Sequence, residues 1–435
     1  MWWGLENKIT NKDSGTLTAL KAKKYRLFWT ASIASVGATQ LLTLTAGKLV
    51  FDLSGSELLL GLAAAVFGIG TILINFLGGV VADRIDKRIL MIITSFAMTI
   101  SLLLLAIIDA LNYETVLLVV IFSTIMGLIS GFDWPVRSSI FPQFIDKKSQ
   151  MMSAVALNAM LWQGLRILAP ASGGFIIAYL GTHSVFFISA TGFFVMGLVM
   201  IFIKPNKIEK IKVEKKSVIK DTLEGINFIA KNKLFKVLIL STYITSGLGM
   251  SYLQLLPSFS NIYKDTIHGD LSAQMLGLLA SAGGIGALTG TAVTARLRQK
   301  IKLGKLVLAS NVLSVIFLFL FGLSNNFIFE ENIYQNPWIS YNLIISSILI
   351  IITGLLNSIF MVGSMSLLQL NVPENLRGRV MGIHTITFSL MSAGALFLGF
   401  LAQLLSSSIA VMISAAFLIL VNFFIYLKNS DIRNI

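Results

Sequence analysis

The chain has no cysteine among its 435 residues. A disulfide, a thiolate zinc or iron–sulfur site and a cysteine nucleophile are therefore excluded. Charge is scarce: Asp, Glu, Lys and Arg make up 12% of the residues, against about 25% in a soluble globular chain. There are only 3 His. No His-Glu-x-x-His, Gly-x-Ser-x-Gly or Gly-x-x-x-x-Gly-Lys-Ser/Thr pattern occurs, so nothing points to a zinc hydrolase, a serine esterase or direct use of ATP. No enzyme activity, metal or cofactor is expected. Acidic side chains are outnumbered, 20 against 34 basic, for a net charge of +14. In a soluble protein that excess would suggest nucleic acid. Here the basic residues can be assigned to one face of a membrane, and no nucleic-acid partner is expected. The opening Met1–Gly15 is polar apart from Met-Trp-Trp, so no cleaved signal is expected and the first span should serve as its own insertion signal.

What is abundant is apolar length. Hydrophobic residues are 55% of the chain, and its 35 Gly suit close contact between membrane helices. Crossing a bilayer takes about 20 apolar residues. Stretches of that kind fall at roughly 25–50, 57–82, 89–109, 114–137, 151–180, 184–203, 236–260, 271–296, 303–323, 340–369, 380–404 and 409–427. The expected fold is an all-α membrane protein with twelve transmembrane helices.

Lys and Arg collect on alternate connections. Lys21, Lys23, Lys24 and Arg26 precede the first span; Arg84, Lys87 and Arg88 follow the second. Lys147 and Lys148 follow the fourth, Arg377 and Arg379 the tenth, Lys428 and Arg433 the last. The intervening connections are acidic or uncharged, with Lys264 the main exception. By the positive-inside rule, both termini and the even-numbered connections are expected on the cytoplasmic side of the inner membrane. A Lys-rich polar segment, 204–235, separates an N-terminal half (1–203) from a C-terminal half (236–435), six spans in each. Its second part, Ser217–Ile229, carries Val218, Ile219, Leu223, Ile226 and Ile229 at helical spacing. It reads either as an amphipathic helix on anionic lipid or as a solvated linker.

The connection after the second span reads Gly79-Val-Val-Ala-Asp83-Arg84-Ile-Asp86-Lys87-Arg88. This resembles the signature of the major facilitator superfamily of transporters, with Asp86 where that family usually has Gly. Gly290–Lys300, after the eighth span, echoes it without the acid. Further segments, Phe132-Asp133-Trp-Pro135-Val-Arg137 and Pro373-Glu374-Asn-Leu-Arg377-Gly378-Arg379-Val-Met-Gly382 among them, are similar to the exporter branch that contains macrolide efflux proteins and the enterobactin exporter. The resemblance implies two six-helix halves of the major facilitator fold rocking around a midplane site, with export of an amphipathic drug-like or siderophore-like molecule by proton antiport. Its partners would be that substrate, protons and lipid, and the protein would act as a monomer. A lipid or nutrient transporter of the same fold, or a membrane sensor that transports nothing, is the alternative.

Charges inside spans are costly and usually functional. Asp83, Arg84, Arg88, Asp133, Arg137 and Arg379 are expected to form a cytoplasmic gate, with Asp133 a partner for Arg84, Arg88 or, four residues on, Arg137. A purely topogenic role is the alternative. Arg166, midway along the fifth span and near Trp162 and Gln163, is expected to face the central cavity. There it would bind an anionic group or a carboxylate. Gln40, Asn357 and His384 complete the candidate cavity or coupling set, with Asp133; for each of the neutral ones, helix packing is the competing role. Asn75, Asn158, Gln254 and Gln369 are further polar groups within the spans.

Overall fold

The computed structural model describes residues 17–84, 86–206, 218–297, 301–327, 330–374 and 376–435, without the side chains of 75–84, 134, 148, 218–222, 330–332 and 388. Several sequence expectations therefore lie outside the described residues: the opening segment, the side chains of Asn75, Asp83 and Arg84, residues 207–217 of the linker, and Arg298 and Lys300.

Among the described residues, eleven helical stretches are long and apolar enough to cross a membrane. One of them, Met151–Phe202, has 52 residues. At about 1.5 Å per residue it is more than twice as long as a bilayer core is thick. Gly181 breaks it with φ 78° and ψ 167°, a conformation for which glycine is suited. The Thr182 hydroxyl donates to Asp109 at 2.6 Å and pins the corner to the third span. The stretch is thus two spans, 151–180 and 182–202, and the total is twelve.

The spans, numbered in words below, are Lys23–Ser54, Glu57–Arg84, Lys87–Ala110, Val116–Ile140, the two just given, Lys233–Tyr263, Ser272–Leu297, Leu303–Asn326, Tyr341–Asn371, Arg377–Leu405 and Ser407–Lys428. Each overlaps its predicted counterpart, with ends a few residues apart. Side chains cap several of the starts: Thr115, Asn232, Ser340 and Ser406 accept backbone N–H bonds there, meeting donors that a helix itself leaves unsatisfied.

Span seven is irregular. An α segment, Lys233–Ile244, gives way to a π turn at Thr245–Gly249 and a tight turn at Ser251–Leu255. Span eleven crosses it there at backbone distance, since a Cβ on Gly394 would fall 1.8 Å from the Gly247 carbonyl oxygen. The Ser246 and Ser251 hydroxyls donate to Thr387 and Met391 carbonyls of span eleven, at 2.5 and 2.7 Å. Non-α turns of this kind often accompany function.

Spans one to six pack largely on one another, as do seven to twelve. The two groups meet along two lines, span two against eleven and span five against eight. A short helix, Val218–Lys231, lies on the start of span eleven. Its Gly225 faces Arg379 and Ile383, and its Glu224 pairs with Arg379. At the same end an exposed pair, Lys233 and Asp431 at 2.9 Å, ties span seven to the C-terminal tail. The Lys233 ammonium holds the Asp431 carboxyl below the usual carboxylate range.

Candidate functional site

An even number of spans brings both termini to one end of the bundle, where the basic residues also collect. This is called the basic end here, and its opposite the far end. Near the basic end, Arg137 of span four is 3% exposed and carries four hydrogen bonds. Two go to the Asp133 carboxylate, each 3.0 Å long. The others go to Ser32 and Ser35 of span one, at 3.1 and 3.2 Å. Arg88 is not the partner of Asp133. Its guanidinium donates to the Met200 and Ile201 carbonyls, at 2.8 and 2.5 Å, where a helix C-terminus favours a cation. These two arginines bind within their own group of six spans. Arg379 reaches the linker helix.

The centre of the molecule is where span five meets span eight. Gln163 donates to Thr291 at 3.3 Å, and Thr291 shares a hydrogen bond with Ser358 of span ten at 3.0 Å. One turn along, the Ser281 hydroxyl donates to the Ile167 carbonyl at 2.7 Å. Arg166 sits between these two bridges. Its carbonyl oxygen lies 2.8 Å from where a Cβ on Gly284 would stand. Arg166 itself is partly exposed at the middle of its span. Trp162 and Gln40 are partly exposed as well.

Two candidates lie elsewhere. Asn357 is 7% exposed and shares a helix face, about three turns along, with Ser346, to which Asn325 of span nine donates at 3.0 Å. The Oδ1 of Asn357 has no partner among the described residues. His384 is 2% exposed in span eleven, with neither ring nitrogen partnered there. Three further residues were not read from the sequence. Tyr252 and Thr291 give no signal in a hydropathy profile. Lys48 does: it falls inside the first predicted span, yet is 4% exposed and paired with Asp52. That is the same anomaly that marks Arg166.

The far end is closed. The Ser56 hydroxyl donates to Gln403 at 2.6 Å, and Ser258 donates to Glu57 at 3.0 Å and contacts Ser407 at 2.8 Å. Phe175 stacks on Trp338 with ring centres 6.2 Å apart. Below these contacts the backbones touch through glycines. A Cβ on Gly61 would lie 2.3 Å from the Ala395 carbonyl oxygen, and one on Gly399 2.4 Å from that of Glu57. On the other line, a Cβ on Gly174 would lie 2.4 Å from Ala273 O and one on Gly277 2.5 Å from Pro170 O.

The general model of the Major Facilitator Superfamily matches residues 28–396. The chain belongs to the major facilitator superfamily. It is an integral membrane transporter of that superfamily, similar at low identity to several curated members. The enterobactin exporter EntS of Citrobacter koseri is 21% identical over 94% of this chain and 92% of its own length. The staphyloferrin A transporter of Staphylococcus aureus is 24% identical over 76% and 78%. The uncharacterised superfamily transporter YfiS of Bacillus subtilis is 23% identical over 68% and 67%. Among solved structures, the nucleoside transporter NupG matches with a TM-score of 0.72 at 13% identity, covering 94% of this chain and 99% of that one. A bacterial homologue of the human lysosomal transporter Spinster, inward-facing and unoccupied, gives 0.68 at 11% identity, covering 95% and 96%. These two likenesses concern the fold.

The superfamily signature departs from its pattern at Asp86, and the structure supplies a use for the change. Asp86 is the N-cap of span three, accepting from the Arg88 backbone N–H at 2.8 Å with φ −59°. That φ does not require glycine. Asp86→Ala is expected to cost about 1 kcal/mol, and Asp86→Gly only a few tenths, because Gly is a tolerable N-cap and Ala is not. Thermal melts of the purified variants check the order; equal losses would show that the cap is not what the acid provides.

Proposed function

We propose that this transporter is a secondary active exporter of an amphipathic small molecule, working by alternating access and driven by the proton gradient. The halves 1–203 and 236–435 would rock about the central seam, joined by the segment 204–235. The basic end would face the cytoplasm, with the linker helix along the inner leaflet and the protein acting as a monomer in the inner membrane. The observation that carries the reading is the pair of glycine seams. Two helix pairs, one on each side of the bundle, are packed backbone to backbone toward the far end, while Arg88 and Arg137 at the basic end are held within their own group of spans. That is the geometry of an inward-facing state. The gate of Asp83, Arg84, Arg88, Asp133, Arg137 and Arg379 would then assemble in the opposite, outward-facing state. The names of the relatives, an enterobactin exporter and a staphyloferrin A transporter, support a substrate of the siderophore or drug kind.

For proton coupling the geometry favours His384 over Asp133. Asp133 is already held by Arg137, whereas neither ring nitrogen of His384 has a partner among the described residues, and an imidazole nitrogen can take up or give a proton. Proteoliposomes loaded with a pH-sensitive dye test this. Addition of a transported compound is expected to drive proton movement, and His384→Gln to reduce it at least about a hundredfold, the low end for loss of a proton-transfer group. Undiminished proton movement in that variant would remove His384 from the mechanism. Absence of proton movement during demonstrated substrate transport would remove the antiport reading itself.

A further inference from the structure

We infer that the transported molecule is an organic oxyanion, and that Arg166 is the residue that binds its charge; this rests on the transporter reading above. The other charges buried within the described spans have polar partners. Arg137 has Asp133 and two serines, Lys48 has Asp52, and Asp109 has Thr182. Arg166 has no carboxylate partner among the described residues, whose ion pairs are all made by other cations. A guanidinium held deep in a protein without a counter-charge is strongly unfavourable. Here the backbone cannot swing it away, because the bridges Gln163 to Thr291 and Ser281 to Ile167 clamp both sides.

The position also suits a ligand. Arg166 lies halfway along its span, at the line where the two groups of helices meet, and keeps partial exposure there. Its planar fork matches a carboxylate or phosphate in bidentate fashion. The Gln163 to Thr291 bridge already joins the two groups of spans beside Arg166, so an anion bound there lies at the line where they meet. Leu41, Leu44, Ala169 and Tyr252 belong to one apolar cluster beside it, which suits the body of an amphipathic molecule. Lys48 lies on the Leu41 and Leu44 side of span one, toward the far end. Lys48 and Asp52 neutralise one another there and Glu57 accepts from Ser258, so Arg166 is the cation left without a carboxylate among the charges named. Among the described residues a lipophilic cation finds no free carboxylate midway.

The test uses the full chain in nanodiscs with four probes: 1-naphthoate, 2-naphthyl phosphate, the uncharged 1-naphthamide and the cation tetraphenylphosphonium. The anions are expected to bind saturably and at least about tenfold more tightly than the amide, the worth of one charge-assisted bond. Arg166→Gln should abolish that preference, and Arg166→Lys should keep part of it. A ligand-free melt supplies a second readout. If Arg166 waits for a ligand, Arg166→Gln removes an uncompensated charge and the apo protein melts higher, whereas loss of a structural partner would lower the melting temperature. The inference is overturned if the amide or the cation binds as well as the anions, if no anion binds, if Arg166→Gln leaves anion binding unchanged, or if that variant melts lower. Flux in vesicles separates this from the transporter reading. Transport of the cation or the amide at full rate by Arg166→Gln would sink the anion site and leave transport standing. Arg166-dependent anion binding without flux of any compound would do the reverse.

Discussion

Asp133→Asn is expected to destabilise the protein by about 3–5 kcal/mol, the usual result of removing one partner from a buried ion pair. Arg137 would be left 3% exposed with its two carboxylate bonds replaced by one weak acceptor, Asn Oδ1. The Ser32 and Ser35 hydroxyls that remain cannot neutralise a guanidinium. The double variant Asp133→Asn with Arg137→Met should recover most of the loss, because the uncompensated charge is gone and Met fills similar space. Melting curves of the two single variants and the double, in one lipid or detergent, measure the coupling. A large loss of transport in Asp133→Asn would, by itself, say little about proton movement, since the same residue holds span four to span one through Arg137. If the single variant melts like the parent and fails to transport, Asp133 belongs to the gate or the coupling machinery after all.

The second large effect is steric. Substituting Gly61 or Gly277 by Leu should prevent closure at the far end, where even a Cβ would stand 2.3 or 2.5 Å from a carbonyl oxygen of the opposing helix. Overpacking by a methyl group typically costs about 1–3 kcal/mol. Alanine alone should then reduce the closed population about 5- to 150-fold, and Leu more. Because the chain has no cysteine, Ser56→Cys and Gln403→Cys can be introduced and spin-labelled without competing thiols. Their parent side chains meet at 2.6 Å in the closed end. The expected result is a short label distance in the parent background and a longer, broader one with Gly61→Leu, together with loss of turnover. Turnover at the parent rate with either Leu variant would mean that these seams do not have to close during transport.

The two effects draw on different parts of the sequence. Asp133 and Arg137 are legible as a pair because they are four residues apart on one helix, although Pro135 between them and the competing claim of Arg88 left the partner open. The structure removes Arg88 from the choice: span six ends beside span three, and its free carbonyls take that guanidinium. The glycine seams are only half legible. Gly173-Gly174 and Gly283-Gly284 suggest close packing, but not which backbone each meets. Gly61, Gly277 and Gly399 are isolated in the sequence and become a seam only when span two lies on span eleven and span five on span eight.

Within the candidate site the same division holds. Arg166 and Gln163 are visible as polar residues in a stretch otherwise fit for hydrocarbon, and the structure puts both at the central seam. Asn357 gives an equal signal and is buried, with its Oδ1 unpartnered among the described residues. Tyr252 and Thr291 give none, since tyrosine and threonine are ordinary in membrane helices, yet one joins an apolar cluster that draws on both groups of spans and the other completes the bridge to span ten. Lys48 gives a signal as strong as that of Arg166 and ends in a satisfied pair with Asp52.

By itself the sequence determined that this is a membrane protein, where its twelve crossings run, which end is basic and to which superfamily it belongs. Transfer from water to hydrocarbon is set residue by residue and adds along the chain, so a span is written in its own composition. Only the tertiary structure decided which charges are already satisfied, which glycines touch and which arginine lies without a carboxylate where the two groups of spans meet. Those are properties of facing surfaces, and the partner of a side chain is fixed by residues that can lie more than a hundred positions away, as Gln163 and Thr291 do.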